Sequence, residues 1–317
     1  MSIRLEMLQV AHLAPKVLGD TTELVARFVR SQQNEDGGFK DRKGQSDLYY
    51  TVFGLDALAS LQQPIDGERV RRYAESFGDG ATLDFVHLCA LARCWAALEH
   101  RFPNRPGALH SPAADLEIGA PLKDEARMGL LQRLATFRAH DGGFNAKPNS
   151  ARGTTYAAFL GVAAYQDLRV QVPEPMEIVR SLKFLETDDG AWTNELFGRG
   201  PMPVGATNVT AAAVTVLRNL GVPVNAAVGD WLLAQTHPQG GFLAVPGAPI
   251  PDLLSTATAL HALAGLGVSF EHIKEPCLDF IDSLWTNEGG FHGNWTDDHL
   301  DCEYTSYGLL ALGHLSL

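Results

Sequence analysis

Five short stretches decide how this chain reads: Asn34-Glu-Asp-Gly-Gly-Phe39, Ala139-His-Asp-Gly-Gly-Phe144, Thr187-Asp-Asp-Gly-Ala-Trp192, His237-Pro-Gln-Gly-Gly-Phe242 and Thr286-Asn-Glu-Gly-Gly-Phe291. The last four aromatics are 48, 50 and 49 residues apart, and the first gap is 105, close to two periods. A degenerate copy belongs in that gap, and Phe77-Gly-Asp-Gly80 supplies it, keeping the turn and losing the aromatic. Six units follow. Self-similarity at such a period marks an array of one supersecondary unit whose hydrophobic face is buried by its neighbours. Paired glycines permit a bend with positive φ, and the aromatic behind them plugs the seam between units.

Outward from each turn the chain has two kinds of helical pattern. Before it comes an amphipathic segment, such as TTELVARFVRSQQ (residues 21–33) or AAVGDWLLAQ (residues 226–235). After it comes a nearly all-apolar one, at residues 49–61, 85–98, 154–165, 209–221, 255–267 and 303–315. A helix with one polar side faces water, whereas one apolar all round is buried. The alternation predicts an all-α fold, an α/α toroid of six helical hairpins with an inner ring inside an outer one. Gly221 and Gly267 read as helix stops, with Pro64 and Pro223 opening connections. The Pro- and Ala-rich stretch at about 101–122 reads as a surface loop inserted in a single domain spanning 1–317.

Composition narrows the function. With 45% hydrophobic and 20% charged residues, the 317-residue chain has the make-up of a soluble globular protein. A formal charge of -12 argues against nucleic acid as a partner, because phosphate binding needs clustered Lys and Arg. There is no 18-residue apolar run, so an integral membrane protein is not expected. The N-terminal stretch has no apolar leader core, and a cytoplasmic location is the expectation. Cys89, Cys94, Cys277 and Cys302 form no Cys-x-x-Cys pair and read as free thiols.

A second repeat opens the inner helices. Asp47-Leu-Tyr-Tyr50-Thr51, Asp252-Leu-Leu-Ser255-Thr256 and Asp301-Cys-Glu303-Tyr304-Thr305 share the form Asp-x-x-(Tyr/Ser)-Thr, and Asp84-Phe-Val-His87 is a partial copy. Each Asp suits a helix N-cap. In a toroid the same helix starts converge, placing Asp, Tyr, Glu and His around an apolar well. Such a rim fits a polar head group with a greasy tail below it.

The Gly-Gly-aromatic turns, the hairpin period and the Asp-led inner helices resemble the repeats of protein prenyltransferase β-subunits, and squalene-type terpene cyclases share related repeats. QNEDGGF with DLYYTVFGLDAL, and DCEYTSYGLLALG, carry the likeness, which runs from Thr21 to Leu317. The resemblance implies a prenyltransferase-like enzyme acting on an isoprenoid, a polyprenyl diphosphate or similar apolar molecule, in the central cavity. The family's metal is zinc, and the segment from His292 to Glu303, rich in His, Asp and Glu, is a separate candidate for zinc or magnesium. Asp252 stands where the family has its first zinc ligand, but Leu254 replaces the Cys and Tyr304 the His; Cys302 is the one thiol near enough in sequence to compensate. For the diphosphate the resemblance offers Arg199, and Arg152 with Lys147 beside it. A helical α-subunit partner goes with the family, although nothing in the chain encodes one.

The cyclase side of the resemblance implies a different chemistry. Asp301-Cys-Glu303-Tyr304-Thr305 is a partial analogue of the acid motif Asp-x-Asp-Asp-Thr, with Glu303 in the acid's place and Asp301 beside it. Asp252 and Tyr304 complete the catalytic set. Tyr50, Tyr304, Tyr307, Trp295 and Phe53 supply aromatic faces for a carbocation, and Tyr156, Asp47 and His87 join the substrate-binding residues. Such cyclases are expected to enclose their cavity between two α-barrels. A non-catalytic lipid-binding or scaffold toroid is the third reading, and His261 reads as a core or cavity-wall histidine.

Overall fold

The computed structural model describes residues 1–99, 122–196 and 203–317; Arg199 and all but the last residue of the predicted loop insertion lie outside them. Two short helices, α1 (Ile3–Ala11) and α2 (Pro15–Leu18), precede the repeats. Outer and inner helices then alternate. The first three pairs are α3 (Thr22–Ser31) with α4 (Leu48–Ser60), α5 (Gly67–Glu75) with α6 (Phe85–Glu99), and α7 (Asp124–Ala135) with α8 (Thr155–Asp167). The others are α9 (Pro175–Lys183) with α10 (Thr207–Asn219), α11 (Ala227–Leu233) with α12 (Leu253–Leu266), and α13 (Lys274–Leu284) with α14 (Cys302–Leu315). Each inner helix packs on the next, from α4 through α14, and α14 returns onto α4. The ring is closed, as the alternating patterns predict.

Burial follows the two helix types. Outer α3 buries a single stripe, Val25, Ala26, Phe28 and Val29, whereas inner α14 is buried on all sides through its last eight residues, Gly308 to Leu315. The turn aromatics plug the seams by lying on glycines of the inner helices. A Cβ at Gly54 would sit 2.2 Å from the Phe39 ring, and one at Gly161 2.6 Å from the Phe144 ring. Both phenylalanines are fully buried.

The Asp-led motif has a structural job at each end. Asp47, Asp252 and Asp301 cap their helices, accepting from the backbone N–H of Tyr50 (3.1 Å), Ser255 (2.7 Å) and Tyr304 (2.9 Å). Each such cap contributes about 1 kcal/mol. Four residues on, the Thr hydroxyl ties the turn to the helix: the N–H groups of Phe39 and Phe242 donate to Thr51 and Thr256 at 2.9 Å. Two small antiparallel pairs set the register. β1 (Phe39–Lys40) meets β2 (Ser46–Asp47) with Phe39 opposite Asp47, and β3 (Phe242–Leu243) meets β4 (Pro251–Asp252) with Phe242 opposite Asp252.

Helix α1 has no counterpart in the repeat. It packs against α4, α8, α10 and α14 at the end where the inner helices finish. The Ile3 N–H donates to Gln166 Oε1 (2.9 Å), Arg4 Nε to Asp56 Oδ1 (3.0 Å), and Arg218 Nη1 to Glu6 Oε1 (3.1 Å). Thus α1 shuts one end of the ring. Among the described residues no helix is long and apolar enough to cross a membrane.

Candidate active site

Inside the ring lies a cavity of about 520 Å³ that draws side chains from all six inner helices and from α1. That volume falls in the range of small-molecule sites. Tyr49, Tyr156 and Tyr307 ring its upper part, Val52, Phe53, Phe159 and Leu160 make its apolar wall, and Met7, Arg93, Asp167 and His261 lie at its lower end. The inner helices run parallel, so their N-terminal residues meet at the open mouth and their last turns meet over α1.

At the mouth, Glu303 accepts a hydrogen bond from the Tyr49 hydroxyl at 2.6 Å, joining α14 to α4. Burial pushes the Glu303 carboxyl up, the Tyr49 bond partly offsets this, and nearby Asp301 pushes it further up. The Tyr49 phenol is itself held far above its ordinary value by burial and by the surrounding Tyr307, Tyr156 and Glu303. Burial also raises Asp301, with its capping bond to the Tyr304 N–H and its ion pair to Arg42 opposing. Arg42 Nε lies 3.0 Å from Asp301 and Nη2 2.9 Å from Asp297, so its charge is shared by two carboxylates; its guanidinium also sits 5.4 Å from the Tyr304 ring centre.

Across the mouth His87 is held between two acids, Nδ1 to Asp84 at 2.8 Å and Nε2 to Asp47 at 3.0 Å. The Asp47 bond is the largest cause that raises its imidazolium, to about 9, so the ring carries its proton at neutral pH. For Asp47 burial acts upward, but the His87 bond and the capping N–H groups outweigh it and leave the carboxyl low.

The structure distributes the sequence-predicted residues in three ways. Tyr156, Tyr307 and Phe53 line the cavity. Glu303, Asp301, Tyr304, Asp47 and His87 gather at the rim without lining the cavity described above. Tyr50 also stays on the rim, its phenol pushed up to about 12 by burial and by Asp301 and Glu303, while its neighbour Tyr49 takes the inward place. Asp252 is a half-buried cap that bonds the Ser255 N–H and hydroxyl, and desolvation raises it. Trp295 stands outside, stacked edge-on against Phe280 and His237 and donating to Ser283. Arg152 lies 3.9 Å over the Phe184 ring and, with Lys147, borders a side pocket of about 410 Å³ that adjoins the mouth.

The predicted metal pair does not come together as a site. Among the described residues no group of three or more His, Cys, Asp or Glu is placed to hold a metal ion. Cys302 is fully buried, its thiol pushed up by burial, and Asp252 spends its oxygens on helix capping. The donor set therefore does not fit zinc or magnesium, and no step is built on either.

The sequence profile of the prenyltransferase alpha-alpha toroid domain matches residues 5–93, 109–220 and 207–315. The chain belongs to the prenyltransferase α/α-toroid family. Among solved structures, this toroid is similar to the type II terpene cyclase MstE from Scytonema. Two single-residue variants of MstE in complex with geranylgeranyl dihydroxybenzoate match with TM-scores of 0.57 and 0.59, each at 14% identity over 96% of this chain and 97% of that one. The apo enzyme matches with a TM-score of 0.55 at 14% identity, over 94% and 97% of the two chains. No curated protein matches the sequence. At this identity the likeness shows the fold. It also corrects the expectation that two barrels are needed, since MstE is matched over nearly its whole chain.

The sequence pattern does not single out Tyr49, Arg93, Asp167 or Met7, all of which line the cavity. Tyr49 carried a signal, because it stands four residues before Phe53 and the two rings meet edge-to-face at 5.0 Å. Arg93 carried another, as the one charged side chain between His87 and Glu99 in an otherwise apolar inner helix. Asp167 and Met7 carried none, because only the placement of α1 and of the last turn of α8 makes them cavity residues.

Proposed function

We propose that the protein binds an isoprenoid chain in the well and isomerises it by proton-initiated cyclisation, with Glu303 as the proton source. The observation that carries this reading is the 2.6 Å contact between Tyr49 and Glu303, with Tyr49 on the cavity wall and, behind it, a carboxyl whose pKa burial raises. When Glu303 is protonated it donates to the Tyr49 oxygen, leaving the phenol hydrogen free to point into the well. The phenol alone is a poor acid, so its proton must be replaced as it leaves. Glu303 then becomes the carboxylate and Tyr49 is again a phenol, while the alkene carbon gains the proton and its neighbour the positive charge. After ring closure the cation loses a proton from an adjacent carbon, which returns through Tyr49 to the Glu303 carboxylate and leaves a neutral isomer. The faces of Phe53, Tyr307 and Tyr156 stand where that charge would move.

The likeness to a type II terpene cyclase of the same chain length supports the reading. Prenyl transfer, the other activity the family suggests, has weaker support: its zinc ligands are not assembled here. Incubation with prenyl alcohols, diphosphates and prenylated benzoates, followed by mass-matched chromatography, tests the proposal. The expected result is an isomer of unchanged mass, lost by about a hundredfold or more in Glu303→Gln. Undiminished isomerisation by Glu303→Gln overturns it.

A further inference from the structure

The lower end of the well contains a group that an all-hydrocarbon ligand would leave unsatisfied. Arg93 lines the cavity, and its guanidinium has five N–H donors to place. Nε reaches Asp167 at 3.4 Å and Nη1 comes no nearer than 4.0 Å to Asp56, while Nη2 is enclosed with no partner among the described residues. Asp167 also lines the cavity, with a side chain only 4% exposed. Burying an ion pair this poorly bonded costs more in desolvation than the pair returns. Nor is the pair needed to fasten α1, which Arg4–Asp56 and Glu6–Arg218 already hold. Of the two terminal nitrogens, Nη1 is the one an acceptor in the cavity can meet.

The charge balance selects its class. Arg4 and Arg93 offset Asp56 and Asp167, so the floor has no surplus for a carboxylate or phosphate. A hydroxyl both accepts from Arg93 and donates to Asp167. We infer that the floor is a polar subsite for a hydroxyl at the end of the isoprenoid remote from the mouth. Tyr156 and Asp167 lie eleven residues apart on α8, about 16 Å along the helix, which sets the span from rim tyrosine to floor. The inference rests on the reading of the well as an isoprenoid site, and not on the protonation step.

Calorimetric titration of the intact protein with farnesol, ω-hydroxyfarnesol and ω-carboxyfarnesol tests it. The ω-hydroxy compound is expected to bind roughly ten- to a hundredfold more tightly than farnesol, the range for a hydrogen bond to a charged group, and the carboxylate no better than farnesol. Equal dissociation constants for farnesol and ω-hydroxyfarnesol overturn the subsite while leaving the well intact. Binding by none of the three overturns the isoprenoid reading, and the subsite with it. The double variant Arg93→Leu/Asp167→Leu removes both charges together, which spares either one from being buried alone. It should reverse the preference toward farnesol; a retained preference for the hydroxyl also overturns the subsite. Should the double variant melt, the wild-type comparison decides alone.

Discussion

The two ends of the well are built from the same six helices by different rules. The mouth is repetitive: an Asp cap, a Thr that ties the turn, and aromatic or acidic residues between them, copied from helix to helix. The floor is not. Asp56, Arg93, Asp167, Arg218 and His261 stand on five different helices with no shared motif, and they meet where the later turns of those helices converge over α1. Helix starts need polar partners for their free N–H groups, so polarity at the mouth has a local cause. Polarity at the floor has a tertiary one.

The largest stability loss is expected at the floor. Arg4→Ala would leave Asp56 buried with only Arg93 at 4.0 Å, an expected loss of about 3–5 kcal/mol visible as a lower denaturant midpoint. A loss no larger than that of an exposed ion pair would show that α1 is only loosely seated. The seam comes next. In Gly54→Ala the new methyl meets the Phe39 ring, with an expected cost of about 1–3 kcal/mol by the same measurement.

The mouth should respond to pH at two groups, both of which lose stabilising effect as pH rises. Glu303 has a folded-state pKa raised above its unfolded one, so its contribution is fully present below about pH 4 and is lost as pH rises through the folded value. Glu303→Gln should therefore melt above wild type at neutral pH and match it in acid. Equal melting temperatures at both pH values would deny that the carboxyl is strained when ionised. The smallest effect belongs to His87, which is partly exposed. Its raised value means that the stability it adds is complete below about pH 6.5 and fades as pH climbs through about 9. The melting difference between wild type and His87→Gln should shrink over that window, and a flat difference would dissociate His87 from Asp47 and Asp84.

These contrasts also mark which parts of the site could be read in advance. Asp301, Glu303 and His87 were legible because they sit in a repeated motif whose spacing survives without coordinates. Tyr49 was passed over for Tyr50, since adjacent residues at a helix start differ in direction by about 100° and only the ring's closure says which one points inward. Trp295 was picked for its chemistry, but its loop carries it outward onto Phe280. Asp252 and Cys302 lie close to the family's metal positions in sequence, yet one caps a helix and the other is buried beneath it.

Periodicity and polarity patterns by themselves determined the six hairpins, the inner and outer rings and the carboxylate-rich rim, because each depends on contacts within one repeat or between successive ones. The closed floor, the Tyr49–Glu303 pair and the Arg93–Asp167 pair were decided by tertiary structure. Each joins residues on separate helices across a closed ring, and no local signal specifies a meeting of that kind.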